Sequence, residues 1–77
     1  MFLTTKVARW EAKGGKKYLE LFQHETNGEV SGFSYMGSYA GGNLGKLTSR
    51  ALAIQALESG MLRAMKTDYP STKRIEE

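Results

Sequence analysis

The chain has no cysteine, one proline (Pro70) and one histidine (His24). Without cysteine there is no disulfide framework and no thiolate metal site, and a lone histidine cannot assemble a zinc centre. No metal and no cofactor are therefore expected. No apolar run approaches the roughly 18 residues that a membrane-spanning helix requires. The segment Met1-Phe2-Leu3-Thr4-Thr5-Lys6 shows no basic stretch ahead of an apolar one. A secretory signal is not legible there, and a cytoplasmic setting is the expectation.

Catalytic constellations are missing too. His24 has no nucleophile at a known spacing, and the acidic pairs Glu20/Glu25 and Glu76/Glu77 have no pocket implied around them. The expectation is a protein that is not an enzyme.

What remains is a chain of 77 residues, 40% hydrophobic and 25% charged, which suits a folded domain rather than a disordered segment. Length leaves room for one core, against a soft prior of roughly 100–200 residues per domain. That core must offset an ordering cost of about 1.5 kcal/mol per residue, so stability is expected to be marginal. The net charge is +3 and the pI about 9.3, a mild basic excess compatible with a polyanionic partner.

Glycine punctuates the first half. Asn27-Gly28 is a strong hairpin signal, because a two-residue type I′ loop needs positive φ at both positions. Gly14-Gly15, between Lys13 and Lys16, reads the same way. Around these turns, β-rich stretches over 2–12, 17–25 and 29–36 form an antiparallel meander. A glycine-rich loop, Gly37 to Gly45, precedes a helix from Leu47 to Lys66, with Thr48 or Ser49 as N-cap and Gly60 as a weak point. The fold class is α+β: a three-stranded antiparallel meander packed on one C-terminal helix, β-β-β-α. It occupies residues 1–68 as a single domain, and Pro70 opens a flexible tail over 69–77.

Turn positions set the register. They pair Phe22 with Phe33, Glu20 with Tyr35, Ala8 with Leu21, Arg9 with Glu20, and Trp10 with Leu19. Because side chains alternate faces, Ala8, Trp10, Leu19, Leu21, Val30 and Met36 share one side. Val7, Arg9, Glu11, Tyr18, Glu20, Phe22, His24, Phe33 and Tyr35 share the other. The helix stripe Leu47, Ile54, Leu57, Met61 and Met65 covers the first face. The aromatic and charged face is left open, which points to a docking surface.

Segment Gly41-Gly42-Asn43-Leu44-Gly45-Lys46-Leu47-Thr48 comes near a phosphate-binding loop but fails it twice. Ala40 stands where the first glycine belongs, and Leu47 where the metal-binding hydroxyl belongs. Nucleotide hydrolysis is excluded on that ground, whereas anion binding beside Lys46 and Arg50 stays open. Lys46-Leu47-Thr48-Ser49 and the alanine-rich helix behind it are somewhat similar to the closing part of a double-stranded RNA-binding domain. That family's first helix has no counterpart here.

Two functions follow as expectations. One is a nucleic-acid-binding module that uses Arg9, Lys13, Lys16, Lys17, Tyr18, Phe22, Phe33, Tyr35, Lys46 and Arg50. The other is a small protein-binding inhibitor or adaptor of the phage type, directed at a host protein of the nucleic-acid machinery. Burial of the Tyr18/Phe22/Phe33/Tyr35 face against a second copy would make a homodimer.

Overall fold

Asn27 and Gly28 both adopt positive φ, 53° and 84°. They close the tight hairpin between β2 (Lys17–Thr26) and β3 (Glu29–Met36), with Thr26 opposite Glu29. Lys13, Gly14 and Gly15 also have positive φ, and a single 3-10 turn there joins β1 (Phe2–Ala12) to β2. The computed structural model describes residues 1–75. Besides these strands it contains β4 (Gly41–Gly45), α1 (Arg50–Ser59), α2 (Met61–Asp68) and β5 (Lys73–Ile75). The strands form one antiparallel sheet in the order β4-β3-β2-β1-β5.

The α+β class and the antiparallel meander hold, but the expected three strands and one helix are too few. Gly41–Gly45, read from the sequence as loop, pairs with β3 as an edge strand. Glycine is a poor strand former. Here the Tyr35 ring lies over Gly42, so close that a Cβ on Gly42 would sit 2.6 Å from the phenol oxygen. Lys73–Ile75, read as part of a flexible tail, lies beside Arg9–Glu11 of β1. Glu76 and Glu77, the rest of that tail, lie outside the described residues. The helix begins later than expected, at Arg50, capped by the Ser49 hydroxyl, which accepts from the Leu52 amide at 3.2 Å. Gly60 then divides it in two, with φ −115° and ψ −107°.

The decisive departure is in register. β1 and β2 pair as expected from Ala8 to Ala12, but a bulge at Val7 places Lys6 opposite Phe22. A second bulge, at Ser31, sets Phe33 opposite Gln23 and Tyr35 opposite Leu21. The Ser31 hydroxyl fixes it by donating to the His24 carbonyl (3.2 Å). One extra residue flips every following side chain to the other face. Phe33 and Tyr35 therefore point toward the helices, and Met36, expected in the core, is 63% exposed.

The core is Trp10, Leu19, Leu21 and Phe33 from the sheet against Leu57, Leu62 and Met65 from the helices. Each such side chain contributes about 1.5–3 kcal/mol by leaving water. Gln23 is the one buried polar side chain among the described residues. Its amide oxygen accepts from Arg50 Nε at 2.8 Å. Arg50 opens α1, where a cation opposes the helix dipole, and this bond offsets part of that cost.

The β3–β4 connection clamps the start of β2. Ser38 Oγ accepts from the Tyr18 amide (3.0 Å) and donates to the Lys16 carbonyl (3.1 Å). Gly37 lies so close to the Tyr18 carbonyl that a Cβ there would overlap it and sit 2.9 Å from Leu19 Cα. Gly37→Ala is thus expected to cost about 1–3 kcal/mol, the usual range for overpacking. Urea denaturation followed by circular dichroism measures it, and an unchanged midpoint would contradict the contact.

Candidate functional site

Two surfaces compete. The open sheet face carries Thr4, Lys6, Arg9, Glu11, Tyr18, Glu20, Phe22, His24, Ser34 and Met36, as alternation and pairing dictate. Its charges are spent on one another. Arg9 donates to Glu11 at 2.6 Å and to Glu20 at 2.9 Å, and Lys6 reaches Glu20 at 3.3 Å. The Arg9 guanidinium also stacks 4.3 Å from the Tyr18 ring centre. Next to this network, His24 links two strands, 3.1 Å from Thr4 Oγ1 and 2.6 Å from Ser34 Oγ. Lys6 and Arg9 balance Glu11 and Glu20, so the face has little net charge with which to attract a polyanion.

These contacts shift two groups. Burial disfavours the Glu20 carboxylate, yet hydrogen bonds from Arg9 and Lys6 prevail and hold its pKa below the ordinary 4.5. Arg9 is pushed upward by its hydrogen bonds to Glu11 and Glu20. Folded Glu20 thus binds fewer protons than unfolded Glu20. Its contribution is present above pH 4.5 and is lost as pH falls from there through the lowered folded value. Glu20→Gln is expected to cost on the order of 1 kcal/mol at neutral pH. The gap from wild type should close as the solution is acidified below pH 4.5. Thermal melts across that range test this, and a gap independent of pH would contradict it.

The second surface lies at the β1–β2 hairpin end. Lys13 and Lys17 place their ammonium groups 5.1 and 5.9 Å from the Tyr69 ring centre, at the C-terminal end of α2. Tyr69 meets Tyr39 edge-on at 5.9 Å, and the Tyr39 hydroxyl donates to Asp68 at 2.5 Å. That bond, with burial second, raises the Tyr39 pKa above its ordinary value. Beside the hairpin, Glu11, Lys13, Gly14, Gly15, Ser71 and Lys73 line a shallow cleft of about 300 Å³. Lys16 is exposed in the same turn. Arg74 lies 5.9 Å from the Trp10 ring. At this end Asp68 and Glu11 are both engaged, with Tyr39 and Arg9 respectively. The lysines outnumber them.

The residues singled out from the sequence therefore separate. Lys13, Lys16 and Lys17 gather at the hairpin end, and Arg9, Tyr18 and Phe22 lie on the open face. Phe33 is 1% exposed and Tyr35 half-buried, so the expected aromatic surface loses two of its four members. The correction follows from the Ser31 bulge. Arg50 is tied to Gln23. Lys46 lines a different cleft, with Thr26, Asn27, Glu29, Val30 and Ser31. The glycine segment before it forms strand β4. The sequence shows Lys73 and Arg74 as a basic pair in the tail without placing them beside the hairpin, and it gives no signal for Tyr69. Pairing of β5 with β1 positions the first two, and the end of α2 positions the third. Pro70, within a Tyr-Pro-Ser turn, is the signal that the chain could reverse there.

Comparison with known protein families, curated proteins and solved structures yields no match to this chain. No helix among the described residues is long and apolar enough to cross a membrane.

Proposed function

We propose that this protein is a small, non-enzymatic nucleic-acid-binding module that grips phosphates with its hairpin end. One observation carries the reading: Lys13, in one turn with Lys16 and Lys17, lines a cleft together with Lys73, which lies far away in sequence. Cations held close together release condensed counterions when they meet a phosphate backbone. Arg9 and Tyr18 border this surface on the open face, and Phe22 lies farther along that face, opposite Lys6. The glycine-rich loop contributes nothing to the reading, and Phe33 and Tyr35 support it only by packing the domain.

A second reading rests on the open face itself. Its internal charge balance and its apolar members, half-buried Phe22 and exposed Met36, suit a protein partner better than a polyanion. On that reading the chain is an inhibitor or adaptor acting from the cytoplasm on a host protein.

Fluorescence anisotropy with labelled duplex and single-stranded oligonucleotides separates the two. The nucleic-acid reading expects binding at ~50 mM salt that weakens steeply and log-linearly as salt is raised. No binding of either oligonucleotide at low salt would overturn it and favour the protein partner.

A further inference from the structure

Among the described residues, β1 is covered on its outer side only where β5 runs beside Arg9–Glu11. From Phe2 to Thr5 no strand lies beside that edge among the described residues. This stretch is held in place rather than frayed. The Met1 carbonyl accepts from the Asn27 amide at 2.9 Å, and the Met1 ammonium donates to Asn27 Oδ1 at 2.7 Å. Yet Met1, Phe2 and Leu3 are 92%, 84% and 54% exposed, a contiguous apolar group on an ordered edge.

We propose that this edge pairs with the same edge of a second copy, antiparallel across a two-fold axis, to extend the sheet continuously through both chains. Backbone alternation restricts the register. The Met1 carbonyl faces β2, so Phe2 and Thr4 direct their amides and carbonyls outward. Outward-facing residues must oppose one another. The proposed register centres the axis on Leu3, with Phe2 against the second copy's Thr4 and Leu3 against the second copy's Leu3, because it pairs the most uncharged residues of the edge. An antiparallel strand meeting its own copy satisfies this pairing twice over. None of the side chains from Met1 to Thr5 is charged, so no like charges meet across the axis. The hairpin lysines lie at the opposite end of a molecule 38 Å long, which keeps the basic ends of the two copies apart. The contact is smaller than the roughly 800 Å² per partner of a standard interface, so the dimer is weak and reversible.

Leu3 opposite Leu3 is a non-hydrogen-bonded pair, with Cα atoms about 4.5 Å apart, within the span of a disulfide. The chain has no cysteine, so Leu3→Cys gives a clean probe. Under mild oxidation Leu3→Cys should form covalent dimers at least about tenfold faster than Glu58→Cys on the exposed side of α1, through the raised effective concentration. Sedimentation equilibrium of the unmodified protein should show the mass rising above 8.6 kDa with concentration, and Leu3→Lys should abolish the rise. Circular dichroism confirms that the variants fold. Equal cross-linking rates, a mass fixed at that of the monomer, or association that persists in Leu3→Lys would each overturn the proposal.

Discussion

Phe33→Ala should unfold much of the population at ambient temperature, whereas Phe22→Ala should leave a folded domain. Phe33 is 1% exposed, between the sheet and the helices. Truncation of a buried phenylalanine costs about 3–5 kcal/mol, through lost transfer energy and the cavity left behind. A domain of this size has little more than that to lose, because one small core barely exceeds the ordering cost. Phe22 is only half-buried on the open face. Its removal should cost no more than about 1–1.5 kcal/mol, in proportion to the area it hides. Chemical denaturation of both variants checks the contrast. A Phe33→Ala protein as stable as Phe22→Ala would mean that β3 lacks the bulge at Ser31 and that Phe33 lies beside Phe22 on the open face.

Reversal of the hairpin charge should have the largest effect on binding. The triple variant Lys13→Glu/Lys16→Glu/Lys17→Glu should lose nearly all affinity for an oligonucleotide at low salt. The milder Lys13→Ala/Lys16→Ala/Lys17→Ala should bind more weakly and flatten the log–log salt dependence by about 0.9 for each duplex phosphate that is no longer neutralised. Folding should survive either change. Lys13 and Lys16 are exposed and Lys17 is half-buried, and among the described residues their side-chain contacts are those of Lys13 and Lys17 over the Tyr69 ring. Such exposed cation–aromatic contacts are worth about 0.5–1 kcal/mol each. Anisotropy titrations at several salt concentrations measure both effects. A salt slope identical to that of wild type would remove the hairpin end from the binding surface.

Much of the sheet was legible in the sequence, because turn chemistry is local. Asn27-Gly28 fixes one hairpin, and the pairing of Ala8, Arg9 and Trp10 with Leu21, Glu20 and Leu19 follows from the other. The site was less legible, because one residue decides it. The bulge at Ser31 rests on a hydroxyl-to-carbonyl bond between neighbouring strands, and no periodicity in 29–36 announces it. It exchanged Phe33 and Tyr35 with Met36 between faces and so removed half of the expected aromatic surface. Strands β4 and β5 escaped notice for a different reason. A glycine-rich edge and a three-residue strand have little propensity of their own, and tertiary contacts with Tyr35 and β1 create them. The lysine-rich hairpin was visible as composition. Its proximity to Lys73 was not, since only the folded chain brings residue 73 beside residue 11.

The most direct test of the central claim is amide chemical-shift mapping by NMR as an unlabelled oligonucleotide is added at low salt. The account expects the largest changes at Lys13, Gly14, Gly15, Lys16, Lys17 and Lys73. Changes centred instead on Phe22, His24, Ser34 and Met36 would place the contact on the open sheet face and contradict it, as would a spectrum that does not change at all.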